Sequence, residues 1–451
     1  MSMPNNNIGH DYIYAVEQAV ATHMPGESVV TKLSTGKMWV TASCRFKDSY
    51  GFARCKVSEL NDRNAQFILK TAIYRAALAS GKMKAPWGTV TGVRPGKLMR
   101  QIMDTDEFSK KYDVEMSRAK LVFETSQYTE KTEGILGKDD ICLYVGIPFC
   151  PTRCLYCSFV SASVEKSMKL VEPYFEALIR EIRETSKYCK DKRVVSIYFG
   201  GGTPTTLDEE KLNILCSELE GSFNLSSLKE FCVEAGRPDT ITEAKLKVLQ
   251  NHGVNRISVN PQTMRNSVLE KIGRRHTEQD ILDAVSLSKD FDINMDLIAG
   301  LPGDDFDGFR YSVDKVLSLN PANITIHTLS LKKGSSLIKN PEDLPDCVGQ
   351  MLDYAYDSLR NSGYEPYYLY RQKNMRGGYE NTGWTKKGHE NIYNICMMEE
   401  LCTIIAMGAG GSSKLIRDSG RNERITTPKY PLEYIEHIEK TCKDKEKICM
   451  T

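Results

Sequence analysis

From residue 138 onward the chain repeats one unit: a short apolar run rich in β-branched residues, a loop, and a stretch with helical periodicity. Apolar runs at 141–147, 194–200, 229–235, 256–260, 293–298 and 323–330 alternate with helical patterns such as 172–189, 208–219, 242–251 and 306–317. Continuous apolar runs of this length are typical of strands covered on both faces, and parallel neighbours need crossover helices. Six such units predict a parallel sheet curled into a partial (β/α)6 barrel. Polar and glycine-rich motifs stand at or just beyond the C-terminal ends of the runs. In parallel α/β folds, ligands bind at that edge.

The flanks have other patterns. Residues 1–10 are polar and expected to be disordered; a helical pattern at 11–23 precedes alternating runs at 29–33, 37–46 and 51–57 and an amphipathic helix at 60–80. Breakers at Pro86-Trp-Gly and Arg94-Pro-Gly precede helical patterns at 97–103 and 117–131. The tail carries helical patterns at 344–362 and 432–443 and a Gly408-Ala-Gly-Gly-Ser-Ser413 element. The expected fold class is α/β, divided as an N-terminal α+β module (1–137), a partial barrel (138–340) and a C-terminal α+β extension (341–451).

With 60 basic and 59 acidic residues the chain has no bulk charge to draw it to nucleic acid or an anionic membrane. Nor does its sequence show a concentrated basic-aromatic patch. No run approaches the roughly 18 apolar residues of a membrane span. Fourteen cysteines without a signal peptide predict a cytoplasmic protein.

Three of those cysteines follow the first strand directly, as Cys150-Pro-Thr-Arg-Cys154-Leu-Tyr-Cys157. A 4Fe-4S cubane takes four ligands, so a three-thiol loop leaves one iron open. The alternatives are three unrelated core thiols or a zinc site. Zinc would want a fourth Cys or His, which Ser158 and Phe159 do not supply.

Taken with Tyr144 and Ile147-Pro-Phe-Cys150, this loop resembles the signature of radical S-adenosylmethionine (SAM) proteins, and most of all the oxygen-independent coproporphyrinogen III dehydrogenase family, HemN and HemZ. The resemblance implies a 4Fe-4S cluster on Cys150, Cys154 and Cys157, with SAM, one molecule or two, chelating the open iron near Tyr144 and Tyr156. After the second strand, Phe199-Gly-Gly-Gly-Thr-Pro-Thr205 lacks a P-loop lysine and dinucleotide spacing, while its glycines let backbone approach a ligand. It resembles the family loop on the SAM methionine, which implies roles for Gly201, Gly202 and Thr203. In the same way Glu234, Gln262 and Arg274 are implied as SAM contacts, Asp296 as a ribose contact, and Thr328 as a backbone contact to adenine. A partner such as Arg256 is the alternative for Asp296. Gly146 departs from the pattern, because well-known members carry His there, and no Cys-x-Cys follows Cys157.

In the tail, Tyr367-Tyr-Leu-Tyr-Arg371 combines aromatics with a cation. Tyr368 and Arg371 are therefore candidates for stacking a tetrapyrrole and pairing its propionates; the alternative is a Tyr-rich core β element. The resemblance implies a radical SAM oxidoreductase of haem biosynthesis, decarboxylating coproporphyrinogen III to protoporphyrinogen IX without oxygen. Its partners would be a porphyrinogen and an electron donor such as flavodoxin or ferredoxin. No catalytic side chain is singled out. A methyltransferase or ring-opening enzyme on a tetrapyrrole, a haem-trafficking chaperone and an RNA-modifying enzyme stay open. The chaperone's tail motif contains His, whereas Glu380-Asn-Thr-Gly-Trp384 here has none.

Overall fold

A computed structural model describes residues 7–158, 162–331, 335, 337, 344–372, 375–417 and 422–450. Most of the segment expected to be disordered, 1–6, lies outside them. The chain forms two compact units, one of Met1–Phe123 with Tyr370–Glu380, the other of Glu124–Leu369 with Asn381–Thr451.

In the first unit, strands β1 (Asn7–Ile8), β2 (Val30–Thr35), β3 (Trp39–Phe46) and β4 (Ser49–Lys56) form a sheet in that order. Helices Ile13–His23 and Asp62–Ala79 share its core, through Val16, Val20, Ile68, Leu69, Ala72 and Ile73 against Val40, Ala42, Cys44 and Phe46. The alternation of the strands sends one set of side chains inward and leaves the other set outward. Gly51 is obligatory, because a Cβ there would stand 1.9 Å from the Ala72 carbonyl oxygen. Glu380 ties the returning segment down: it pairs with Arg118 at 3.0 Å and accepts from Trp87 Nε1 at 2.6 Å, with both charges buried. A helix over Met116–Ile135 ends just before the expected boundary at 137/138, and the leading segment of the first unit stops earlier, at Phe123.

The second unit is built on β5 (Asp140–Ile147), β8 (Arg193–Gly201), β9 (Glu230–Glu234), β10 (Arg256–Ser258), β11 (Asp292–Ala299) and β12 (Asn323–Thr328), all parallel, while the two-residue strands β6 (Phe149–Cys150) and β7 (Ala162–Ser163) pair with each other as a separate small sheet. These are the six expected strands, with ends displaced by two residues or fewer. The tail does not stand apart: β13 (Glu365–Tyr370) and β14 (Asn381–Thr385) extend the sheet beyond β12, while β15 (Thr403–Met407) pairs in parallel with β5 and carries β16 (Ser412–Leu415) and β17 (Glu423–Thr426). The three-part division is thereby replaced by a mixed sheet of eleven strands.

One side of the parallel strands is apolar, with Leu143, Ile197, Phe199, Val233, Ile257 and Met295 buried. The alternate positions are polar, and one buried cluster closes them off. Glu230 accepts from Ser196 Oγ at 3.0 Å and from the backbone amides of Ile392 and Tyr393 at 3.1 and 3.2 Å, the first turn of helix Ile392–Glu399. Arg256 faces it at 3.4 Å and donates to Asn294, Asn323 and the His389 carbonyl. A carboxylate on free N-terminal amides satisfies donors that a helix cannot satisfy itself. Burial still pushes the Glu230 carboxyl above the usual range, against the pull of Arg256 and those amides. Glu230→Ala should cost about 3–5 kcal/mol in denaturant unfolding, because it removes the buried counter-charge of Arg256, leaving the part-exposed Asp292 at 3.4 Å, and Glu230→Gln should cost less.

Candidate active site

Cys150 lies on β6, and Cys154 and Cys157 lie in the turn that follows, where the Cys157 amide donates to the Cys154 carbonyl at 3.2 Å. All three thiols are half-buried. Neighbouring strand ends hold the loop. Leu155 N donates to Ile272 O at 3.0 Å, and Arg237, beyond β9, donates to Thr152 Oγ1 at 2.9 Å. Ser335 Oγ donates to Leu155 O at 2.9 Å.

The glycine loop runs directly beneath. Gly202 N donates to Ile147 O at 2.8 Å and Thr203 N to Phe149 O at 2.7 Å, while Thr203 Oγ1 stands 3.5 Å from Cys150 Sγ. A Cβ on Gly202 would lie 2.4 Å from the Phe149 carbonyl oxygen. The glycine therefore serves the close crossing of two backbones, whatever else it serves. Gly201 adopts φ +104°, which a side chain would strain.

Glu234, at the end of β9, accepts from Tyr198 Oη and, at 3.1 Å, from Asn260 Nδ2. Burial, and then the negative charge of Asp296, push its carboxyl up to about 7. Asp296 on β11 stands 3.5 Å from His327 Nε2 on β12. Arg256 is not its partner, being spent on the Glu230 cluster. Gln262 carries the strand pairing onward in a left-handed conformation, φ +68°, with its amide on Asp296 O at 2.8 Å. Arg274 donates to Asn260 O at 2.6 Å and to Tyr156 Oη at 3.1 Å, which brings Tyr156 and the end of β10 together. Thr328 N donates to Asn381 Oδ1 at 2.7 Å. Tyr144 stacks beside Tyr198 at 6.4 Å and 16°.

Sequence reasoning missed Tyr198, Asn260, Arg237 and His327. Their signal was positional: Tyr198 sits two residues before Gly200, and Asn260 and His327 sit at the ends of their strands. Two expectations need correcting. Arg371 is buried, with its guanidinium on the Val90 and Gly378 carbonyls and over the Trp87 ring at 5.5 Å. Burial lowers its pKa to about 10. Tyr367 and Tyr368 are buried on β13, with Tyr368 Oη 3.2 Å from Thr325 Oγ1. This segment is the core β element, and neither Tyr368 nor Arg371 offers an open face to a substrate.

The departure at Gly146 falls where the backbone is closely approached. A Cβ there would meet the Ala409 carbonyl oxygen at 3.1 Å, because the Gly408–Gly411 turn packs on the end of β5. Tyr174 Oη bridges the two, donating to Gly146 O at 2.6 Å and accepting from Ala409 N at 2.8 Å.

The donor set suits the implied cluster. Among the described residues, only Cys142, Cys396 and Cys402 bring three ligand atoms within 4.8 Å, the spacing for a single ion. That buried triad, packed with Val195, Tyr393 and Ile404, lies apart from the signature loop. Its neighbouring sulfurs and burial hold the Cys142 thiol well above its ordinary range, as expected of core thiols. The signature sulfurs are spread more widely, and in a cubane each thiolate takes a different iron.

Residues 144–316 match the model of the radical SAM superfamily. The Bacillus subtilis oxygen-independent coproporphyrinogen-III oxidase-like protein HemZ is 38% identical over 382 residues, covering 80% of this chain and 76% of that protein. The chain belongs to the radical SAM superfamily, in the HemN and HemZ family. Family membership brings a 4Fe-4S cluster and SAM. The Lactococcus lactis heme chaperone HemW is 34% identical, over 50% of this chain and 60% of its own length. The structure of coproporphyrinogen III oxidase HemN from Escherichia coli matches the fold with a TM-score of 0.55 and 21% identity, over 70% of this chain and 73% of that one. No helix among the described residues is long and apolar enough to cross a membrane.

Two outcomes follow from the geometry. Ala at Cys150, Cys154 and Cys157 together should abolish iron and sulfide loading in anaerobic reconstitution, while Ser at Cys396 and Cys402 should leave it unchanged. For SAM-free protein, the folded pKa of Glu234 near 7 lies above its ordinary 4.5. Its stabilising contribution is full below pH 4.5 and is lost as pH rises through about 7, at most about 3 kcal/mol. Thermal unfolding across pH 5–8.5 should show that loss in wild type and flatten in Glu234→Gln.

Proposed function

We propose that the protein is a radical SAM oxidoreductase that decarboxylates two propionates of coproporphyrinogen III to vinyl groups without oxygen, giving protoporphyrinogen IX for haem biosynthesis. What carries this reading is the match to HemZ over four-fifths of the chain, beside this chain's own loop of Cys150, Cys154 and Cys157. When bound, the cluster and SAM supply one-electron cleavage and hydrogen-atom abstraction.

The chain's own residues hold and orient. Cys150, Cys154 and Cys157 would ligate the cluster, and Tyr144 and Tyr156 would flank it. Gly201, Gly202 and Thr203 would take the methionine end of SAM, with backbone groups exposed where no Cβ intervenes. Glu234 at the end of β9 and Arg274, which follows helix Asn266–Lys271 and donates to Asn260 O beyond β10, carry opposite charges that suit the amino and carboxylate groups of an amino acid. Gln262, Asp296 and Thr328 would hold the nucleoside. An ammonium group held beside Glu234 would favour its carboxylate form, against the burial that raises its pKa.

The reading no longer includes a porphyrin grip at Tyr368 and Arg371. An electron donor such as flavodoxin or ferredoxin is still required to load each turnover. The chaperone reading draws on the HemW relatives, but Glu380 in the corresponding tail segment is committed to Arg118 and Trp87.

Anaerobically reconstituted protein given SAM, a reductant and coproporphyrinogen III should release CO2 and form vinyl products. Steady cleavage of SAM with neither CO2 nor vinyl product would remove this reading and leave methylation or ring opening. Tight haem binding without turnover would favour the chaperone.

A further inference from the structure

We propose that the outer face of the β2–β3–β4 sheet is a platform for single-stranded RNA. This rests on the first unit alone and is independent of what the radical chemistry acts on. Both helices of that core lie on one side of the sheet, and the outward side chains of the strands are on the other. Pairing places Arg45 opposite Tyr50, Ser43 opposite Phe52, Thr41 opposite Arg54 and Trp39 opposite Lys56, with Lys32 opposite Ser43 on the next strand. Tyr50 is 59% exposed and Phe52 39%, and Lys32, Arg45, Arg54 and Lys56 are exposed beside them.

The chemistry of this face is one-sided. It presents four cations and no Asp or Glu at the outward positions of the three strands. Nearby carboxylates lie at the rim, where Glu27 pairs with Lys47 at 3.2 Å. The Arg54 guanidinium lies over the Trp39 ring at 4.2 Å, which confirms that the two side chains share the face. Tyr50 and Phe52 stand two residues apart on β4, about 7 Å along the strand. Cations alone would suit any acidic partner. Uncovered rings set in a row between cations suit bases, which stack on aromatic faces while phosphates pair with the flanking charges. Ser34, Thr41 and Ser43 add hydroxyls between the cations, able to meet a ribose 2′-hydroxyl. The linear sequence hides the patch, because every outward residue alternates with a buried one over three strands.

The test uses full-length, cluster-loaded protein and a fluorescein-labelled 12-nucleotide RNA of mixed sequence, followed by anisotropy from 50 to 300 mM salt. The expected result is saturable binding that weakens with salt, log K falling with a slope of about −2 to −3 for three or four phosphates. Tyr50→Ala with Phe52→Ala should weaken binding at least tenfold with the salt slope retained. Lys32→Glu with Arg54→Glu should abolish it. Circular dichroism and cluster absorbance should match wild type in both, which excludes misfolding. The proposal falls if RNA does not bind at 50 mM salt, if neither double variant alters binding, or if single-stranded DNA or duplex RNA of the same sequence binds as well. It falls equally if the aromatic variant instead dissolves a wild-type dimer or loses an acidic protein partner with RNA affinity intact.

Discussion

The second unit depends on a buried charge that is held in place from three directions. Glu230 takes a hydroxyl from β8, a guanidinium from β10 and two amides from the helix Ile392–Glu399. A carboxylate without these partners would be expensive to bury, and any two of them would leave the third short of a partner. The cluster therefore fixes three segments of chain together, one of them more than 130 residues away from the strands. It also closes off the polar side of the sheet, so that the remaining polar residues converge at the opposite, C-terminal ends of the strands.

At those ends the chemistry changes character. Glu234 has hydroxyl and amide donors but, among the described residues, no cation paired with it as Arg256 is with Glu230, and Asp296 stands 3.5 Å from His327. Two neighbouring acids with a single histidine form an incomplete charge set. Burial, and after it the negative charge of Asp296, raise the pKa of Glu234 at this site. Glu230 and Glu234, four residues apart on one strand, thus divide the labour: the first is saturated by protein groups and the second is left for something else.

The sequence made the parallel strands legible because each is a continuous apolar run, and the observed ends fall within two residues of the reading. The cysteine loop and the glycine loop were legible because their residue types are costly elsewhere. What could not be read was whatever depends on long-range return of the chain. Residues 370–380 leave the second unit and complete the first, so Arg371 looked like a free cation beside tyrosines when it is a buried strut under Val90 and Trp87. The same holds for β15, whose parallel pairing with β5 turns an apparent extension into part of the central sheet. Arg237 and His327 were visible as letters, but their contacts arise only when strand ends are set side by side.

Gly146 shows how a departure from the family pattern can be absorbed. Where a histidine would point from β5, this chain brings the Gly408–Gly411 turn against the strand, and buried groups hold the turn there. Glu181 accepts from Gly408 N at 2.7 Å and from Tyr434 Oη, and Lys445, fully buried, neutralises it at 2.9 Å while donating to Ala406 O. Gly408 itself has φ +90°, and a Cβ on it would stand 2.4 Å from Gly146 O. A side chain at 408 would clash with the strand, whereas a Cβ at 146 would be tight against the turn, at 3.1 Å from Ala409 O. A histidine at 146 would therefore need the Gly408–Gly411 turn to give by a few tenths of an ångström. Glu181, Tyr174 and Lys445, which hold that turn, would resist the shift.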